Sequence, residues 1–322
     1  MKKAPATEAA KRPHQRQSIT AGGADPMTHL FDTMAAGGIV PANPSDVRAR
    51  LADGALIRFA TQSKPAKRNG WLVAYFDRGA PVTAVAGDWA EGSDIRWNAE
   101  NPDNLTPSER REQRQRMERA RALREAEQAR IHAEAAEKAL RIWQSASPAT
   151  HHDYLIRKAV RPHRARLSRG SLVLDVRDFD RQLHTLQFIR PDGSKQLLSG
   201  GAKRGHFIPV AGPSDPARVL VCEGWATGCT LADDDPDALV LAAIDAGNLT
   251  PVTSGARNRW PHADLIVCAD DDRTTPGNPG ATAARAAALA AGCRVAFPKW
   301  PANAPLELSD FNDLANWQKG AA

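Results

Sequence analysis

Five acidic side chains near the C-terminal end have the spacing of a cation site. Glu223 follows the run VLVC (219–222), Asp245 follows ALVLAAI (238–244), and Asp270, Asp271 and Asp272 follow DLIVCA (264–269). Short, uninterrupted apolar runs of this kind read as strands buried on both faces. Acids at the carboxyl ends of such strands lie where open α/β sheets form their ligand crevice. Oxygen-only groups suit Mg²⁺, which shares a few carboxylates with water and substrate phosphates. On extended backbone, side chains at i and i+2 point the same way, so Asp270 and Asp272 can address one cation region while Asp271 turns aside. For an isolated Asp triplet, the plainer alternative is the start of a solvated loop.

The elements that must position these acids are legible around them. ATGCTLA reads as a short helix, a second helix follows Asn248 with Thr250 and Pro251 as its N-cap and N1, and ATAARAAALAAG (281–292) is a third, closed by Gly292. RVAF (294–297) adds a fourth strand. Strands alternating with helices predict a parallel sheet.

In this order, VLVCEGWATGCTL, LAAIDAGNL, LIVCADDDRTTPGNPGATAARAAA and LSDFNDL resemble a Toprim domain over roughly residues 215–315. This is the metal-binding catalytic fold of bacterial-type primases, type IA and II topoisomerases and some nucleases, and the likeness is to primases of plasmids, phages and integrative elements. HHDYLIRKAVRP and LHTLQFIRPDGSKQLLSGGAKRG resemble the segment that precedes Toprim in those primases. The resemblance implies that Asp270 and Asp272 hold Mg²⁺ or Mn²⁺, while Glu223 binds metal or handles a proton at the attacking or leaving 3′ oxygen. It also implies metal-dependent synthesis of short RNA primers on single-stranded DNA from nucleoside triphosphates. Asp245, Asp310 and Asp313 are secondary acids; Asp310 either supports the metal site or caps the following helix. Cellular primases carry an aspartate four residues after the glutamate. Thr227 stands there, as in the mobile-element version, leaving one acid fewer for metal.

The remainder divides into four pieces. Residues 1–26 are polar, basic and expected to be a disordered leader. Residues 27–105 contain ALIRFA, GWLVAYFD and PVTAVAGDW, strands of a small α+β module whose core includes Trp71, Trp89 and Trp97, unless one of these rings is a stacking platform for a base. Residues 106–146 form a long charged connector helix, with Thr106, Pro107 and Glu109 as N-cap, N1 and capping-box acid. It reads as a solvated spacer or an arginine-rich arm for nucleic acid. Residues 147–212 are a primase-type α+β segment with a hairpin turn at Asp192-Gly193, and residues 213–322 are the Toprim domain. Fold class is therefore α/β, with a central mostly parallel sheet flanked by helices, preceded by the α+β segment, the long helix and the small N-terminal module.

Of 322 residues, 43 are Lys or Arg and 37 Asp or Glu, a net charge of +6 that favours polyanionic partners. YLIRKAVRPHRARLSR packs six cations and no acid between Tyr154 and Arg169, with Lys158, Arg161 and Arg164 as candidate phosphate contacts. Lys195, Lys203 and Arg204 are candidates for template or triphosphate contacts, against a plain solubilising role. Cys222, Cys229, Cys268 and Cys293 form no C-x-x-C pair, so neither a zinc site nor a disulfide framework is expected. No G-x-x-x-x-G-K-[ST] loop occurs, so unwinding is expected to need a separate helicase. No apolar window spans a membrane and no secretory h-region opens the chain, which predicts a cytoplasmic protein without membrane contact.

Four other readings compete. A Toprim nuclease would use the same acids. A topoisomerase needs a nucleophilic tyrosine, and Tyr75 and Tyr154 both lie in segments that read as structural. A phosphoribosyltransferase loop is superficially similar to IVCADDDRTTPG, but it wants apolar residues where Asp272 and Arg273 stand and leaves Glu223 unexplained. A fourth reading is a non-catalytic replication or conjugation accessory protein that binds single-stranded DNA through a vestigial Toprim fold.

Overall fold

A computed structural model describes residues 25–99 and 106–321. The leader expected over residues 1–26 lies outside the described residues except for Asp25 and Pro26, which already start the first helix. The chain divides into two compact units, Met1–Gln128 and Ala129–Ala322.

In the first unit, Asp25 caps α1 (Pro26–Ala36) by accepting the Thr28 N–H at 3.0 Å, and Asn43 caps α2 (Pro44–Arg50). The strands β1 (Leu56–Phe59), β2 (Gly70–Asp77), β3 (Ala80–Asp88) and β4 (Ser93–Asn98) form an antiparallel meander in chain order. The two-residue period of β2 sends Leu72 and Ala74 toward Leu30 and Met34 of α1, and Trp71, Val73 and Tyr75 to the opposite face. Trp71 and Trp97 are both 2% exposed and serve as core. Trp89 is half-buried, stacked on Trp71 with centroids 6.2 Å apart and covered by the Arg58 guanidinium at 4.9 Å.

The capping box of α3 (Pro107–Ser145) forms as expected: Glu109 accepts the Thr106 N–H at 2.7 Å and donates its own N–H to the Thr106 hydroxyl at 3.3 Å. Most of the helix is exposed or half-buried, as its charge suggests, but a few small residues are covered. Met117 and Ala120 cover the Trp71 face of the meander, and Ala139 packs on Val173 and Leu186 in the second unit. The buried face is written mainly in alanine, which allows close approach of a helix to a sheet yet leaves no conspicuous apolar stripe.

The second unit opens with β5 (Ser147–Pro148), α4 (Asp153–Lys158), β6 (Arg166–Ser168), β7 (Ser171–Arg177), β8 (Leu183–Ile189) and β9 (Lys195–Leu197), whose strands form one antiparallel sheet in chain order. The Asp192-Gly193 turn joins β8 to β9, with Gly193 at φ 89°. Next come β10 (Ile208–Ala211), β11 (Arg218–Cys222), α5 (Trp225–Asp234), β12 (Leu239–Ala242), α6 (Leu249–Arg259), β13 (Asp264–Cys268), α7 (Pro279–Ala291), β14 (Arg294–Ala296) and α8 (Phe311–Ala321). They build a second sheet of order β10-β12-β11-β13-β14, parallel except for the antiparallel edge strand β10. Alternation along β11 buries Leu220 and Cys222 with Trp225 of α5 on one face, and Val219 and Val221 with α6 and α7 on the other. The α6 helix begins at Leu249, one residue before the expected Thr250 cap, with Asn248 at the cap position.

Gly212 closes the β10 edge at φ +114°, and a Cβ there would run into the backbone of Ala238 and Leu239. Gly212→Ala should therefore cost about 1–3 kcal/mol, read as a lower denaturation midpoint with an unchanged m-value.

Candidate active site

The parallel strands deliver their acids to one crevice. Glu223 follows β11, Asp245 follows β12 and Asp270–Asp272 follow β13, all at carboxyl ends. Ile244, which immediately precedes Asp245, has φ 80°. A β-branched residue rarely occupies that region, and such strain concentrates at sites where a side chain must be aimed.

The aspartate triplet is held by the entry to α7. Asn278 accepts the Asp272 N–H at 2.9 Å and donates to Asp271 Oδ1 at 2.6 Å, and Trp300 Nε1 donates to Asp271 Oδ2 at 3.0 Å. Asp271 is thereby turned aside, as the i,i+2 rule predicts. Asp272 spends Oδ2 on the Gly280 N–H at 2.9 Å. A Cβ at Gly280 would crowd Asp270 and Asp272, so glycine lets α7 approach this closely.

Asp270 differs from its neighbours. Its Oδ1 is buried without a hydrogen-bond partner. Burial first, then the charges of Glu223, Asp310 and Asp272, push its carboxyl up to about 8. Glu223 is raised by burial and by Asp245 and Asp272, with Lys195 opposing. A partnerless buried carboxylate oxygen among other carboxylates is costly unless a cation satisfies it. The donor set is all oxygen, which fits Mg²⁺ or Mn²⁺. Among the described residues, no three of these acids bring ligand oxygens within 4.8 Å of one another.

Asp310 takes the capping role and is also tied to α5. Its Oδ1 caps α8 by accepting the Asp313 N–H at 2.8 Å, while Oδ2 accepts the Thr227 hydroxyl at 2.9 Å. Thr227, standing where cellular primases carry an acid, thus tethers a carboxylate whose charge reaches Asp270. Sequence reasoning missed this link between α5 and α8. Asp313 accepts the Ser309 N–H at 3.1 Å and pairs with Lys158 at 3.2 Å, a structural role at the helix entry.

The basic candidates separate. Lys203 pairs with Asp245, and Arg204 is exposed on the same loop. Lys195 keeps much of its surface open to solvent, yet crowding and Lys158 lower its pKa, while Asp310, Asp270 and Glu223 attract its charge. Arg161 binds Asp233, and Arg164 reaches Asp175 at 3.1 Å. The run of cations between Tyr154 and Arg169 is therefore partly neutralised by acids distant in sequence.

Asn248 anchors the Lys203 loop. Its Oδ1 accepts the Gly205 N–H at 2.8 Å, and its Nδ2 donates to the carbonyls of Lys203, His206 and Ala243. Asn248→Ala would leave these buried groups unpaired, at about 1–3 kcal/mol, and is expected to increase hydrogen exchange at Gly205 while β11 and β13 stay protected. Tyr154 is 3% exposed and its phenol is pushed to about 12 by burial, so it is unavailable as a covalent nucleophile. Among the described residues, no helix is long and apolar enough to cross a membrane.

Residues 218–322 match the Toprim domain family model. The crevice described above is therefore the acidic end of a Toprim fold, a class of domain that binds divalent metal. The chain is 31% identical over 260 residues to a DNA primase TraC of Escherichia coli, covering 77% of this chain and 24% of that protein. A second DNA primase TraC of Escherichia coli is 36% identical over 137 residues, 40% of this chain and 9% of that protein. The chain thus spans about a quarter or less of the length of these relatives. Among solved structures, the primase fragment of the bacteriophage T7 primase-helicase protein aligns over 54% of this chain and 76% of its own, at 14% identity and TM-score 0.37. The DnaG primase catalytic domain bound to ssDNA aligns over 60% and 68%, at 16% identity and TM-score 0.34.

Proposed function

We propose that this chain is the catalytic part of a mobile-element DNA primase, making short RNA primers on single-stranded DNA by nucleotidyl transfer at Glu223, Asp270 and Asp272. The observation that carries this reading is the partnerless buried Oδ1 of Asp270, set among Glu223, Asp272 and Asp310. Mg²⁺ or Mn²⁺ held by these carboxylates would supply charge neutralisation at the triphosphate and activation of a 3′-hydroxyl.

The chain's own residues account for the rest. A 3′ oxygen forms a bond to the α-phosphorus, the bond to the diphosphate breaks, and the hydroxyl proton leaves. Glu223, with its raised pKa, is the side chain suited to accept that proton. Lys195 and Lys203 put cations at the rim of the acidic crevice, where departing diphosphate would gather charge, and Arg204 extends the loop toward template phosphates. Arg161 and Arg164, already paired, would add a weaker phosphate surface. The reading also includes a separate helicase, nucleoside triphosphates as substrates and action in the cytoplasm.

The test is primer synthesis by purified protein on single-stranded DNA with labelled nucleotides and Mg²⁺ or Mn²⁺. Short oligonucleotides that vanish in Glu223→Gln and Asp270→Asn support the reading. Nicking or degradation of template with the same dependence on these acids replaces it with a nuclease, and DNA binding without synthesis, even with a helicase added, replaces it with an accessory protein.

A further inference from the structure

A second cluster of different residues forms where the β7–β8 hairpin meets the chain entering β10. Asp178 follows β7, His184 lies on β8, and His206 ends the loop that carries Lys203 and Arg204. The backbone pairing of Arg177 with Phe207 brings the two segments together. The three side chains each present a ligand atom within 4.8 Å of the others, the one such trio among the described residues.

Its internal geometry is already that of a ligand set. Asp178 Oδ1 accepts the N–H groups of Asp180 and Gln182 at 2.9 and 2.8 Å, which fixes the carboxylate, and Oδ2 lies 2.8 Å from His184 Nε2. The His184 and His206 rings are 4.0 Å apart between centroids. His206 Nδ1 is buried without a hydrogen-bond partner. An imidazole with an idle buried nitrogen beside an oriented carboxylate has the chemistry of a first-row transition-metal ligand set.

We propose that Asp178, His184 and His206 bind one Zn²⁺, leaving a fourth position for water, and that the ion clamps the Lys203–Arg204 loop to the β7–β8 hairpin. Two imidazoles and one carboxylate favour Zn²⁺ over Mg²⁺, which takes oxygen ligands, so this site and the acidic crevice discriminate between metals. The cysteine pattern gave no sign of it because the ligands are histidine and aspartate, spread from position 178 to 206.

The test is Zn²⁺ titration of the EDTA-stripped full chain, followed by calorimetry and metal analysis, with Co²⁺ substitution as a spectroscopic probe. One equivalent should bind to the parent and to Asp270→Asn, unaffected by excess Mg²⁺. Loss of an outer-shell partner alone typically costs 10–100-fold in affinity, so His184→Ala and His206→Gln should each weaken binding by at least about a hundredfold. No stoichiometric binding to the parent, or binding undiminished in both histidine variants, overturns the proposal. Should either variant fail to fold, the parent decides: visible Co²⁺ bands bleached by one equivalent of Zn²⁺ support the site, and their absence overturns it. Metal binding is read without primer synthesis, so the outcome is independent of the proposed activity.

Discussion

Asp270→Asn is expected to abolish primer synthesis and, in the same protein, to raise the melting temperature in EDTA. The two effects have one cause. Asp270 carries a buried, partnerless oxygen among Glu223, Asp272 and Asp310, which makes its ionised form unfavourable without a cation. The near-isosteric amide removes the charge and the repulsion, so metal-free protein gains stability, most visibly at pH 8 where the parent carboxyl is half ionised. The same amide is a poor cation ligand. Since outer-shell losses alone cost 10–100-fold, synthesis should fall by more than about a hundredfold. Glu223→Gln should follow in both directions with a smaller gain in stability, because its pKa is raised without reaching that of Asp270. Scanning calorimetry in EDTA and primer synthesis with Mg²⁺ check the pair; an Asp270→Asn protein that is both inactive and less stable than the parent would place this residue in the structure rather than in the site.

The principal acids were legible because a strong local rule applies to them. Apolar runs of four to seven residues followed by an acid, alternating with helices, fix Glu223, Asp245 and Asp270–Asp272 at the carboxyl ends of one sheet whatever the loops do. What sequence could not show depends on contacts between distant segments. Thr227 and Asp310 meet across 83 positions, so nothing in the sequence signals that Thr227 holds the carboxylate that caps α8. The Tyr154–Arg169 cations looked free of acids because Asp233, Asp175 and Asp313 arrive from elsewhere. The covered positions of α3 were not legible because Ala120 and Ala139, both buried, are too small to stand out in a charged composition.

Mg²⁺ should stabilise the protein more at high pH than at low pH, over a window set by Asp270. Its carboxyl titrates near 8 when folded and near 3.8 as an unperturbed side chain. Between those values the folded state holds a proton that the unfolded chain has released, so the contribution of Asp270 to the stability of metal-free protein is most favourable below about pH 4 and declines as pH rises toward 8. The raised pKa of Glu223 acts with the same sign. A cation needs the ionised carboxylate and must displace that proton, so its apparent affinity climbs over the same range and levels off above pH 8. Two pH units of proton competition amount to about 2 kcal/mol after allowance for partial solvent access, or about 4–8 °C in melting temperature for a unit of this size. The increment produced by saturating Mg²⁺ should therefore be larger by that amount at pH 8 than at pH 6, and the difference should vanish in Asp270→Asn. A constant increment across this range would mean that Asp270 is ionised throughout, and that its unpaired oxygen is satisfied by something other than the cation.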